Sequence, residues 1–419
     1  VPVVVAGGPL AGKRILIATA SNWPSTAALP RLYGRGGAHV TVLCHPGALI
    51  AQSGYTNAVV PVDGALAETV STLREHLLTN AYDWIVAGDD PLVAELLREP
   101  DRAWLRPWFP FDPDDPAPIG FATSKHAFLD IARSWELPIA DYELCATWEG
   151  FAYAAARFGF PFVAKARTGH AGGMVHRIDD LAAARATWGR YGGAVLAAQR
   201  FVRGRVGTIE VLWDRGVPRC FMGAYKVDCH PSDFGAASAK QPFRDPALEA
   251  IARKVGAITG YHGFGAIDIM QDDETRAFTV LELNPRPSGG GFTLTDSIAR
   301  EFYPVYRAFL DGAGFASAID LGSRSAPVPL FPNTWYYFVE LADKRRPRVW
   351  LRAVEAFARA PFDDRTLVLK YVRVFAGYYA ERSALGRALK NRIKRMFRLT
   401  SIRHPGAVYD LSKAGPENR

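Results

Sequence analysis

The chain has 419 residues, 49% hydrophobic and 22% charged, enough for two to three domains of roughly 150 residues and for cores that need no disulfide staples. That balance excludes a disordered chain, and no apolar run approaches the about 18 residues of a membrane span. The net charge of +8 is unevenly spread: Leu341 to Arg419 holds 19 Lys plus Arg against 7 Asp plus Glu, and the rest holds 31 against 35. The basic character belongs to the tail, which argues against a nucleic-acid-binding body. The apolar start, Val1 to Leu10, has its charges (Lys13, Arg14) after it, unlike a signal peptide. Four scattered cysteines without a CxxC fit reduced thiols, so a cytoplasmic protein is expected.

In chain order, RILIA (14–18) and HVTVL (39–43) read as strands around a helical segment, Ala27 to Tyr33, a βαβ opening. A strand, Trp84 to Ala87, ends at Gly88-Asp89-Asp90-Pro91, where Asp90 can cap a helix running to Arg98. Asp89 then lies at the carboxyl end of a strand, where open α/β sheets place ligands. The proline-rich PWFPFDPDDPAP (107–118) predicts a domain junction. Helices follow over Ser124 to Trp135 and Trp148 to Phe158, then a strand, Phe162 to Ala166, a glycine-rich loop from Thr168 to Gly173, and a returning strand through Val175 and Ile178. Ala194 to Val202 and Gly207 to Trp213 are further strands. Asp245-Pro246 opens a helix with Leu248, Ile251, Val255 and Ile258 on one face, closed by Gly260. Lys226, His230, Lys240 and Arg244, in a Gly-, Pro- and Ser-rich stretch, read as a mobile lid for an anionic acid, or as a solvated loop.

The sharpest signal is the pair GFGAIDIM (263–270) and FTVLELN (278–284). As a hairpin turning near Thr275 it puts Asp268 opposite Glu282, with Cβ atoms roughly 5 Å apart. Alternation sends Asn284 the same way, and three oxygen-bearing groups on one face suit magnesium. An exposed polar face is the plain alternative. In FPFVAKARTGHAGGM (160–174), Lys165 ends a strand before a flexible loop, a cation and backbone N–H groups suited to phosphate oxygens.

These pieces, in this order, resemble the ATP-grasp superfamily. Its strand with a lysine appears as Pro161 to Lys165, its glycine-rich loop as Thr168 to Gly173, its hinge as Gln199 to Gly204, and its metal strands as Asp268 and Glu282-Leu283-Asn284-Pro285-Arg286-Pro287. The resemblance covers roughly residues 10 to 315 and implies an α/β and α+β architecture: a Rossmann-like N-terminal domain (1–118), a central subdomain (119–196) and a C-terminal lobe with the metal site (197–325). The basic helical extension (326–419) stands outside that family core and is read from its charge and periodicity. It implies that Lys125, Lys165, Gly169, Gly172 and Gly173 hold ATP phosphates, that Gln199, Phe201 and Val202 read the adenine, and that Asp268, Glu282 and Asn284 hold Mg2+, with Mn2+ as a substitute. Lys165 and Arg286 would be catalytic, Arg286 by stabilising the transferring phosphoryl group or the substrate carboxylate. The hinge departs from the pattern at Arg200 and the ribose acid is replaced by Val206, which leaves Glu210 as the carboxylate for the ribose.

The implied reaction is ADP-forming ligation of a small carboxylate to an amine through an acyl phosphate. A biotin-carboxylase-like carboxylase and a nucleotide-binding assembly protein without turnover are the alternatives, the latter suggested by the altered hinge. For the substrates the candidates are Asp89, Lys226, His230, Arg244, Ser288 and Gly289. No nucleic-acid partner is expected. In the tail, the aromatic run Trp335 to Phe338 and a basic amphipathic helix, Leu385 to Leu399, predict packing on the body or on a second copy of the chain in a homodimer, with an anionic membrane surface or a polyanionic substrate as the alternatives.

Overall fold

The computed structural model describes residues 7–63, 65–169, 174–230, 235–288, 291–314, 317–323, 326–330, 354, 358 and 362–382. The N-terminal strands β1 (Arg14–Ala18), β2 (His39–Cys44), β3 (Ala58–Pro61) and β4 (Trp84–Ala87) form a parallel sheet in the order β3-β2-β1-β4. Near-continuous apolar runs suit strands covered on both faces: Ile15 and Ile17 enter one apolar cluster, Leu16 and Ala18 another. The expected helix over 27–33 is two short ones, α1 (Pro24–Ala27) and α2 (Leu29–Gly34), because Pro24 and Pro30 each sit in a first turn and interrupt a single helix. Helix α3 (Leu66–Thr79) precedes β4, and α4 (Asp90–Leu96) follows it.

Residues 107–115 are irregular, as the prolines at 107, 110 and 113 favour, but they are not a bare linker. Trp108, Phe109 and Phe111 are buried in the same apolar cluster as Trp213 and Tyr261, and the Pro110 carbonyl accepts a 2.7 Å bond from His262 N–H. Helix α5 (Pro116–Thr123), capped by Asp115, begins before the predicted junction at 118, and Ser124 caps α6 (Lys125–Ser134).

A four-stranded antiparallel sheet, order β5-β8-β6-β7, joins β5 (Tyr142–Cys145), β6 (Phe162–Lys165), β7 (Val175–Ile178) and β8 (Leu196–Arg200). Helices α7 (Trp148–Phe158) and α8 (Leu181–Tyr191) pack on the face carrying Phe162, Ala164 and Ala198. The opposite face carries Lys165 and Gln199.

The largest sheet contains β9 (Gly204–Asp214), β10 (Val217–His230), β11 (Ala236–Phe243), β12 (Gly263–Asp272), β13 (Phe278–Asn284) and the short strands β14 (Ile319–Asp320) and β15 (Val328–Pro329). Its order is β13-β12-β9-β10-β11-β15, with β14 beside β10. Two results differ from the sequence reading. The Gly-, Pro- and Ser-rich stretch is two long strands in which Lys226 pairs with Lys240 in register, instead of a loop. Strand β15 pairs with β11 through Lys240 and Val328, so the body continues past residue 326. One face packs on α9 (Ala247–Thr259) and α5 through Ile209, Val211, Trp213, Ile267, Ile269 and Leu283; Gly260, at φ +61°, ends α9 in a left-handed cap that a glycine takes without strain. On the other face, Leu212, Met222 and Phe264 are covered by α10 (Asp296–Leu310) and the N-terminal domain.

The helix Arg365–Arg382 packs on the segment around the N-terminal sheet, Leu367 and Tyr371 meeting Ala27 and Leu49. Just before it, Asp363 takes two N–H bonds from Arg31, and buried Asp364 accepts from Ser53 Oγ at 2.5 Å and Gly54 N–H at 2.8 Å. The 335–338 run and the 385–399 helix lie outside the described residues. Among the described residues no helix is long and apolar enough to cross a membrane.

Candidate active site

The β12–β13 register puts Ala266 opposite Asn284 and Asp268 opposite Glu282, with a bulge after Asp268. The two carboxylates therefore share a face, and each meets an ammonium. Lys226 Nζ donates to Asp268 Oδ2 at 2.7 Å, and Lys125 Nζ pairs with Glu282 Oε2. Lys125 comes from the start of α6, which is tied to β6 by the bond between its N–H and the Arg167 carbonyl, 2.8 Å. Burial alone would raise the Glu282 carboxyl, but Lys125, with the charges of Lys165 and Lys226, outweighs it and holds the group below its usual range. Burial would lower Lys226, and Asp268 reverses that.

Lys165 faces the same cleft from β6. It is 8% exposed, and its ammonium has no hydrogen-bond or ion-pair partner among the described residues. Burial, reinforced by the charge of Lys125, lowers it to about 8. Gln199, on the same face of the small sheet, is buried and its amide N–H donates to the Ala140 carbonyl at 3.2 Å, leaving its own carbonyl oxygen as an acceptor. Phe201 and Val202 lie in the short connection between β8 and β9, where the chain crosses from the small sheet to the large one, and Arg177 lies 5.0 Å over the Phe201 ring. Gly169, at φ +140°, is in a conformation open to glycine; Gly172, Gly173 and Gly289 lie outside the described residues.

Several residues sit elsewhere than expected. Asp89, not Asp90, caps α4: its buried carboxylate accepts from Leu92 N–H at 2.9 Å, Thr19 Oγ1 at 2.5 Å, Ala20 N–H at 2.8 Å and Ser21 N–H at 2.9 Å. With both oxygens engaged it fixes the 19–21 turn and is not free to take a substrate. Asp90 is the residue that reaches the cleft, holding Arg286 by two bonds of 2.7 and 3.0 Å, while the Trp23 ring lies 5.1 Å from that guanidinium. Arg244 turns away and donates to the Gly322 carbonyl, so it is no part of a lid. Glu210 is not presented toward the hinge for a ribose; it lies midway along β9, bound by Lys240 at 2.5 Å and by the Ser288 hydroxyl. The backbone of His230 ends β10, at the far end of that strand. Asp90 is a cleft residue that the sequence left out of the site, and its approach to Arg286 had no sequence signal; Lys240, read there as part of a lid for an anionic acid, sits on β11 against Glu210.

Asp268, Glu282 and Asn284 supply only oxygen donors, a hard set that suits Mg2+. Among the described residues no three His, Cys, Asp or Glu side chains cluster as a metal cage, and Mg2+ typically takes one or two carboxylates and completes its shell with phosphate and water. The residues fit that mode.

No protein-family model matches the chain. It is 30% identical over 190 residues to the D-alanine--D-alanine ligase of Laribacter hongkongensis (strain HLHK9), covering 41% of this chain and 59% of that protein. It is 28% identical over 199 residues to the D-alanine--D-alanine ligase of Pseudomonas putida (strain GB-1), covering 43% and 59%. The chain thus spans about three fifths of the length of these curated relatives. Among solved structures, the ADP complex of N5-carboxyaminoimidazole ribonucleotide synthetase superposes with a TM-score of 0.56 at 16% identity, over 77% of this chain and 82% of that one. The L-amino acid ligase from Bacillus licheniformis gives 0.52 at 15%, over 72% and 74%. The fold is therefore the ATP-grasp fold. With its cleft between a small antiparallel sheet and a larger, mainly antiparallel one, and with its partial sequence likeness to D-alanine--D-alanine ligases, the chain resembles the ATP-grasp enzymes.

Proposed function

We propose that the chain is an ADP-forming carboxylate–amine ligase that uses ATP and Mg2+. The observation that carries this reading is the convergence of Asp268, Glu282 and Asn284 on one sheet face with Lys125 and Lys165 from the other lobe. Phosphoryl transfer asks a protein for position and positive charge more than for covalent chemistry. Lys125 and Lys165 hold the phosphates, and the free carbonyl oxygen of Gln199 accepts from the adenine amino group. Magnesium, when held by Asp268, Glu282 and Asn284, supplies charge to the phosphate oxygens. The acid's carboxylate oxygen attacks the γ-phosphorus and ADP leaves. The neutral amine nitrogen then attacks the acyl carbon, and phosphate departs with the electron pair of the broken C–O bond and takes up the proton that the nitrogen loses. Arg286, its plane set by Asp90, lines the same floor for the acid or the transferring group.

The test is product analysis with ATP, Mg2+ and panels of acids and amines. ADP and phosphate, dependent on both panels, are expected. AMP and pyrophosphate would reject the reading, and ADP formation that depends on bicarbonate and biotin would convert it to a carboxylase.

A further inference from the structure

Beside the metal-type residues lies a second charged cluster that this chemistry does not use. Glu210 is fully buried, and its register partners are Met222 on β10 and Ala266 on β12, the residue that pairs on its other side with Asn284. Two strand spacings, about 10 Å, separate the Glu210 and Asn284 backbones, and alanine is the floor between them. Glu210 Oε1 is taken by Lys240 Nζ at 2.5 Å and by the Ser288 hydroxyl, and Lys240 also donates to Ser288 Oγ at 3.1 Å. Glu210 Oε2 is buried with no partner among the described residues. It points toward the bare side of Gly291, where a Cβ would stand 3.5 Å from that oxygen and only 2.8 Å from the Phe264 ring.

A buried ion pair is a poor way to stabilise a wall otherwise built of Leu212, Met222 and Phe264, where an apolar pair packs as well or better. A carboxylate oxygen left without a donor in that setting costs free energy. The pair is better explained by what Oε2 receives. An anion is repelled by the carboxylate. A metal ion is disfavoured by the Lys240 ammonium on the same carboxylate. An N–H donor fits both charge and geometry. We propose that Glu210 Oε2 docks the nitrogen of the acceptor substrate, a primary amine, with Lys240 and Ser288 as positioning residues that fix the carboxylate. The inference rests on the ligase reading, and gives the amine a place one strand from Asp268.

The experiment compares wild type with Glu210→Gln and with E210L/K240M, which replaces the buried pair by apolar neighbours without stranding the lysine. The twenty common amino acids serve as acids and amines, with ATP, Mg2+ and ADP release as the readout. In E210Q the KM for the amine should rise roughly 10- to 100-fold, the worth of a hydrogen bond to a charged group, while the KM for ATP shifts less than about twofold. Hydroxylamine, small and uncharged at neutral pH, should rescue ADP release in both variants. An unchanged amine KM, or amine and ATP KM rising together without rescue, overturns the proposal in favour of a purely structural brace. If wild type releases no ADP with any acid even in hydroxylamine, the ligase reading itself fails, and a separate arm decides the site. Glycinamide should then raise the melting temperature of wild type, acetamide should not, and E210Q should respond to neither; a wild type indifferent to glycinamide removes the nitrogen site.

Discussion

The two faces of the largest sheet are built from the same strands and do opposite things. On β9, Ile209, Val211 and Trp213 enter the apolar core while Thr208 and Glu210 point to the cleft side; on β12, Ile267 and Ile269 flank Asp268 in the same way. Along this half of the sheet a period of two thus separates the residues that hold the fold from those that carry charge, with a single backbone serving both, while further along Leu212, Met222 and Phe264 turn the charged face back into core. The buried cations and carboxylates add little net stability, since desolvation offsets their attraction, whereas each apolar side chain on the opposite face contributes a few kcal/mol.

The contrast breaks if substitutions on the two faces produce the same phenotype. The largest effect is expected from Glu282→Gln, which keeps shape and removes a charge: turnover should fall by roughly 10²-fold or more, with the melting temperature only a few degrees below wild type, the loss expected when Lys125 is left without its partner in a partly exposed pair. A collapsed melting temperature would mean that the cleft face also holds the fold. The neighbour Ile267→Ala should do the reverse, losing about 2–5 kcal/mol in denaturant unfolding while the folded fraction keeps its turnover. A subtler test concerns Lys165. Burial and then Lys125 bring it down to about 8, so it is charged below that pH and increasingly neutral above. The KM for MgATP should therefore climb as pH passes through about 8, by up to about tenfold per unit, and Lys165→Arg should flatten that limb. The sign for folding is opposite: the unfolded lysine, at 10.5, binds the proton more tightly, so stability attributable to this group rises between about 8 and 10.5.

Where local chemistry dictated structure, the sequence was readable. The β12–β13 register follows from alternation and a polar turn, and Ser124, Thr147 and Gly260 mark the ends of α6, α7 and α9 as caps do. Strands β10 and β11 were obscured because proline and glycine punctuate β10 and much of β11 is alanine, serine and proline; tertiary pairing, not propensity, makes them strands. Helix α8 is rich in alanine and presents only Ala184 as a fully buried residue, so its periodicity was too weak to register. Asp89 and Asp90 were both visible at a strand end, but which one caps depends on the 19–21 turn, 68 to 70 positions away. For the same reason Glu210 drew attention for a ribose, while its actual partners come from β11 and the segment after β13.

The pairing of Lys125 with Glu282 and of Lys226 with Asp268 has a thermodynamic consequence. The cleft is an ion exchanger loaded with its own counterions. Withdrawing a carboxylate alone strands an ammonium in a poorly solvated place, and withdrawing an ammonium alone strands a carboxylate. A divalent cation and a polyphosphate arriving as one neutralising complex satisfy both halves at once. Their affinities must therefore be mutually reinforcing, and by reciprocity whatever factor the cation adds to nucleotide affinity the nucleotide returns to the cation.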